Sequence, residues 1–190
     1  MAEVVNEELT TPAEQAILHF SYAGSLAKDA IPALLHSNSR QQGVNFLCAG
    51  IIEGPDWKSR FECINQAIGF ADIGYRTEIE AALETLATSG LDTPDTVRAK
   101  CLLLGFAREA GDSQRARFFG EELLNMKRIK DTFDRTLHEE VGNAIQFYAE
   151  YLAQNGFNSQ AAAVYLSFAD KFPNSALAVK CLERARALKH

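Results

Sequence analysis

The residues able to do chemistry are few, and their spacing is the first thing to weigh. His138-Glu139-Glu140 begins like a zinc-protease helix, in which two histidines four residues apart share one face. Position 142 is Gly, so the second ligand is missing. The other histidines, His19, His36 and His190, stand alone. His19 lies in an apolar stretch and reads as a core or boundary residue. The carboxylate pairs Glu121/Glu122 and Glu139/Glu140 are adjacent in sequence. Neighbours on a helix point about 100° apart, so neither pair makes an acid–base couple by itself. No G-x-S-x-G elbow, Walker loop or G-x-G-x-x-G fingerprint occurs. Catalytic residues, metal ligands and cofactors are therefore not expected, although a site assembled from distant helices stays open.

Four cysteines, Cys48, Cys63, Cys101 and Cys181, lie far apart among apolar residues at helical spacing. They read as free thiols in packing positions, since a free Cys behaves as a small hydrophobe. Lys127, Arg128, Lys130 and Arg135 form one basic cluster, diluted by Asp131 and Asp134. It reads as a solvated helix end, because a nucleic-acid binder would carry a clearly basic domain. Trp57 stands near a helix start and reads as a packing anchor, with an exposed contact aromatic as the alternative.

The elements that must position these residues are helical. Ile79, Ala82, Leu83 and Leu86 recur at i, i+3, i+4 and i+7, and Ile145, Tyr148, Ala149 and Leu152 do the same. Ala161, Val164, Tyr165, Phe168 and Phe172 continue the pattern over three turns, and Phe61, Ile64 and Ile68 agree with it. Each of the five prolines can sit in the first turn of a helix. Thr11-Pro12-Ala13-Glu14 reads as a capping box, and Gly54-Pro55-Asp56 and Thr93-Pro94-Asp95 place an acid in the first turn. Asp29 can cap the helix that holds Pro32, and Phe172-Pro173-Asn174-Ser175 ends one helix and starts another. Only Gly43 to Ile52 could be a buried strand, and a lone strand has nothing to pair with. The pattern predicts helices at about 12–23, 28–36, 39–52, 55–72, 75–88, 94–110, 112–126, 132–155, 157–171 and 175–188. Short loops make neighbours antiparallel hairpins.

The 190 residues carry a net charge of -6 and 47% hydrophobic residues. This is an ordinary globular composition, which excludes disordered and fibrous classes. No apolar run approaches the roughly 20 residues of a membrane span, so membrane insertion is not expected. The first residues, MAEVVNEELTTPAEQ, are acidic where a secretory signal is basic and then apolar, which points to the cytoplasm. Residues 1–95 hold five Lys/Arg against fourteen Asp/Glu, whereas residues 96–190 hold fourteen against eleven. That contrast suggests charge-directed partners, a second copy of the chain among them.

Two segments, Ala110-Gly-Asp-Ser-Gln-Arg-Ala116 and Asn155-Gly-Phe-Asn-Ser-Gln-Ala161, resemble each other. Each follows one amphipathic helix and opens another. Gly111 and Gly156 can take the left-handed conformation that ends a helix. Ala116 and Ala161 let the second helix approach the first closely. On these residues the region 142–175 resembles a tetratricopeptide repeat. Gly156 falls at the turn, Ala161 at the small position, Tyr165 at the aromatic position and Pro173 at the close. Tyr148, Ala149 and Leu152 fit the packing positions of the first helix. Ile145 stands where the family usually has Trp, and Phe168 where it prefers a small residue. In the upstream copy Gly111 and Ala116 match, but Gly120 occupies the aromatic position. The two turns are 45 residues apart, so an insertion around Asn125 to Asp134 breaks the period.

The resemblance covers about 95 residues in degenerate form. It implies an all-α fold of antiparallel hairpins, stacked as a short solenoid or helical array. Residues 1–90 would be an acidic helical region, and residues 91–190 the hairpins with a capping helix at 175–188. It further implies a groove lined by the first helices of the hairpins, with Asn143, Gln146 and Glu150 on one and Arg98 and Arg108 on the other. Such side chains bind a peptide backbone or carboxylate with fixed geometry. The expected function is non-enzymatic binding of a protein or peptide segment, as an adaptor, chaperone or accessory subunit. The alternatives are a self-associating structural subunit, or an all-α ligand binder or enzyme with a dispersed site.

Overall fold

The computed structural model describes residues 40–125 and 135–188. Predicted helices 12–23 and 28–36, the Thr11 capping box, Asp29, Pro32, His19, His36 and His190 lie outside them, as do Lys127, Arg128 and Lys130. The side chains of Arg135 and His138 are likewise outside the description. Among the described residues there are eight α-helices and no strand. They are α1 (Arg40–Glu53), α2 (Trp57–Phe70), α3 (Arg76–Ala87), α4 (Pro94–Glu109), α5 (Ser113–Asn125), α6 (Arg135–Gln154), α7 (Asn158–Lys171) and α8 (Ala176–Ala187). None is long and apolar enough to cross a membrane. The chain divides into two compact units, Met1–Ser89 and Gly90–His190.

In the first unit α1 packs against both α2 and α3. The stretch Gly43 to Ile52 is helical, with Val44, Leu47 and Ile51 fully buried. The start of α2 differs from the expectation. Asp56 is the N-cap itself and accepts from the Ser59 N–H at 2.8 Å, so Pro55 precedes the helix. An Asp at this position satisfies an orphan amide, whereas Pro has no N–H to offer. Trp57 is 39% exposed in the first turn of α2, with the Lys58 ammonium 5.7 Å from its ring centre. Between α2 and α3 the chain passes through one wide π-type turn, Ala71–Tyr75, in which Gly74 takes φ +107°.

In the second unit the two related segments form the same turn. At Gly111 (φ +70°) the glycine N–H donates to Arg108 O at 3.0 Å and the Asp112 N–H to Ala107 O at 2.8 Å. At Gly156 (φ +83°) the corresponding bonds run to Ala153 O at 3.0 Å and, from Phe157, to Leu152 O at 2.9 Å. This pair of bonds, closing on a left-handed glycine, is the Schellman motif. It reverses the chain within three residues, so α4/α5 and α6/α7 are helical hairpins. The following helix is capped differently. Asp112 accepts from the Gln114 and Arg115 N–H groups at 3.1 Å each, while Phe157 in the second copy makes no side-chain cap. Thr93 caps α4, its N–H donating to Thr96 Oγ1 at 3.1 Å, and Ser175 caps α8 by accepting from the Leu177 N–H at 3.2 Å.

The hairpins pack side by side. α6 lies against α4 and α5 as well as its own partner α7, and α8 covers α7. The apolar stripes named from the sequence face inward: Ile145, Tyr148, Ala149 and Leu152 on α6 and Ala161, Tyr165 and Phe168 on α7 are buried. Lys100, also buried, ties α4 to α5 through Glu122 at 3.0 Å.

Glycines set the closest approaches. A Cβ on Gly120 would stand 2.5 Å from Cγ of Tyr148, so the missing aromatic of α5 leaves room for a ring from α6. A Cβ on Gly142 would stand 2.6 Å from Cδ1 of Leu177 on α8 and 3.1 Å from Cζ of Phe168 on α7, so these two side chains fill the room left on α6. At both glycines, side chains of neighbouring helices occupy the space that a Cβ would take. Gly120→Ala is expected to lower the stability of this unit by about 1–3 kcal/mol, the usual range for overpacking. In a double-mutant cycle with Tyr148→Leu, measured by urea denaturation, the combined loss should fall clearly short of the sum of the two single losses.

Candidate functional site

A groove of about 420 Å³ opens between α4 and α6. From α4 it is lined by Arg98, Cys101, Leu102, Leu104, Gly105, Arg108 and Glu109. These positions recur every three or four residues, which is one face of a helix. From α6 it is lined by Glu140, Asn143, Ala144 and Phe147 at the same period. Two contacts cross it. The Arg98 guanidinium is ion-paired with Glu140, and both side chains are largely shielded from water. Ten residues along α4, the Arg108 guanidinium lies 4.3 Å from the centre of the Phe147 ring. Numbers rise together on both helices between these contacts, so α4 and α6 run parallel. Parallel first helices beside each other are what stacking of two hairpins requires.

The electrostatics differ between the two ends. Burial pulls the Arg98 guanidinium below its ordinary pKa, and Cys101 opposes that shift. Arg98 remains a cation and its charge is met by Glu140. Arg108 is exposed, and among the described residues no carboxylate lies within ion-pair distance of it. The Phe147 ring holds its guanidinium by cation–π attraction, leaving N–H edges for another acceptor. Asn143, one turn before Phe147, is exposed at the rim.

Of the five residues the sequence put forward, the structure gathers Arg98, Arg108 and Asn143 around this groove. Gln146 and Glu150 are not part of it. Four residues apart, they share the next stripe of α6, which turns toward α7 and α8. Gln146 donates weakly to Cys181 Sγ at 3.9 Å, and burial raises the pKa of Tyr165, with the Glu150 carboxylate adding to the shift. The helix period separates these stripes, and the sequence alone did not say which one α4 would cover. Sequence reasoning missed Glu140, Phe147 and the small floor of Cys101, Gly105 and Ala144. The signal was there for two of them, since Glu140 and Phe147 stand three before and four after Asn143.

Cys101 is the nucleophile type nearest the groove. Burial pushes its thiol from the ordinary 9.0 up to about 12, with a smaller opposing pull from Arg98. A thiol held protonated is a poor nucleophile at neutral pH. Compared with known proteins, the chain matches no family model, no curated protein and no solved structure.

The raised thiol has a consequence for stability. An acid with a higher pKa in the folded state leaves stability intact below 9.0, the ordinary value, and removes it as pH climbs toward about 12. Unfolding curves of the wild type should therefore weaken progressively above pH 9.0, and Cys101→Ala should show a shallower decline over the same interval. At pH 7.5, iodoacetamide should modify Cys101 more slowly than a free cysteine, by peptide-resolved mass spectrometry.

Proposed function

We propose that the unit Gly90–His190 is a tetratricopeptide-like interaction module that holds a segment of a partner protein in the groove between α4 and α6. The observation that carries this reading is the exposed Arg108 guanidinium, fixed on the Phe147 ring beside Asn143 at the mouth of an open, largely apolar groove. An oriented cation and an amide suit a peptide backbone and its carboxylates, and an apolar floor supplies buried area. The matching Schellman turns at Gly111 and Gly156 and the parallel course of α4 and α6 support the likeness to a stacked repeat. No chemical step is part of this reading, and an adaptor, chaperone or accessory subunit of the cytoplasm fits it.

The test is affinity capture with three baits: wild type, Arg108→Ala/Asn143→Ala, and the control Arg117→Ala on the exposed face of α5. Arg98 is left intact because its ion pair joins the helices. A partner held by wild type and Arg117→Ala, and lost at least tenfold by the double variant, supports the groove. A partner retained equally by all three removes the groove from its binding.

A further inference from the structure

The helices of the second unit are not held equally. α4 buries Leu103 and Leu104, α6 buries Ile145 and Tyr148, and α7 buries Tyr165 and Phe168. α8 buries only small residues, Ala178, Cys181 and Ala185. Its bulkier ones point elsewhere: Val179 is 62% exposed, Leu182 is 37% exposed, and Leu177 is half-buried. Burial stabilises in proportion to the apolar area removed from water, so this inside-out helix is weakly secured. Polar ties follow the same order. Ion pairs join α4 to α6 and α4 to α5, but among the described residues none joins α8 to another helix. The Gln146–Cys181 contact at 3.9 Å is a weak substitute. What seats α8 is shape, since the end of Leu177 enters the space over Gly142.

We infer that α8 is a detachable arm: it leaves its bed on α6 and α7 while the two hairpins stay folded, and two copies of the chain exchange it. Release breaks no contact within the hairpins, because α4 to α7 pack on one another without α8 between them. The occupant of the vacated bed is α8 of the second copy. Its Leu177, Ala178 and Cys181 restore the contacts that the same residues make within one chain. The closed and exchanged forms bury the same surfaces and differ in the course of residues 172–175, where Pro173 and Asn174 are exposed. Within one chain the arm competes at an effective concentration of about a millimolar, so exchange is suppressed in dilute solution unless the connection is stopped from turning back. This inference does not depend on the groove between α4 and α6.

Detachment is read from amide hydrogen exchange of the full wild-type chain by NMR, at urea concentrations below the unfolding transition. The α8 amides should open at least roughly a hundredfold more often than those of α6 and α7, with little dependence on urea, as sub-global opening does. Exchange between copies is read from a chain lacking Pro173, Asn174 and Ser175. Only Phe172 then lies between α7 and α8, short of the roughly two to five residues of a helical reversal. The arm can no longer reach its own bed, and size-exclusion light scattering should show a dimer of twice the wild-type mass. Adding Ala178→Glu puts a carboxylate on the buried side of the arm and should return the folded deletion chain to a monomer.

α8 amides that exchange only with global unfolding overturn the arm. A folded deletion chain that stays monomeric, or a dimer that persists with Ala178→Glu, overturns its exchange between copies. If circular dichroism shows that the deletion chain does not fold, a peptide decides instead. The acetylated, amidated segment Asn174–Leu188 is titrated under reducing conditions into the 15N-labelled wild type, up to millimolar concentration. Saturable shifts at Gly142 and Phe168 support the exchange, and their absence overturns it.

Discussion

Volume matching between α6 and its neighbours is the constraint on which the second unit depends. Gly120 and Gly142 lack a side chain, and each space is filled from across an interface. Tyr148 occupies the space over Gly120, and Leu177 and Phe168 the space over Gly142. The exchange brings helix backbones close enough to exclude water, and close-packed interiors tolerate little change in volume. The hairpin turns set the direction of each helix, but the side-chain contacts on Gly120 and Gly142 set how near the helices come. With α6 seated this way, its face bearing Glu140, Asn143 and Phe147 is turned toward α4.

The groove is a by-product of that seating. Where α4 and α6 carry large side chains they bridge, as Arg98 does to Glu140 and Arg108 to Phe147. Where they carry Cys101, Gly105 and Ala144 they leave space. A half-buried ion pair adds little net stability, but removing one partner leaves a partly desolvated charge unmet. The Arg98–Glu140 pair thus joins α4 to α6 at one end of the groove. The Arg108–Phe147 contact does something else, since it holds a long side chain against a ring at the surface.

The sequence exposed much of this. Helical periods in α3, α6 and α7 identified their buried stripes, and Gly111 and Gly156 identified the turns, because a left-handed backbone is a property of one residue and its near neighbours. Pro94 and Ser175 marked helix starts for the same local reason. Local rules were less decisive at Gly54-Pro55-Asp56. There the chain uses the Asp as a cap and leaves the Pro outside, since both residue types suit the neighbourhood of a helix start.

Residue order alone therefore determined that the described chain is helical, where each hairpin turns, and which stripe of most helices is apolar. These follow from backbone preference and a period of 3.6 residues, both of which act over a few positions. Tertiary structure decided which polar stripe of α6 faces α4, and so why Asn143 lines the groove while Gln146 and Glu150 turn away. It also decided that Gly120 is a socket for Tyr148, that Gly142 is one for Leu177 and Phe168, and that Gly105 is open space. The three glycines are the same letter in the sequence, and only the distance to a residue from another helix gives each its meaning.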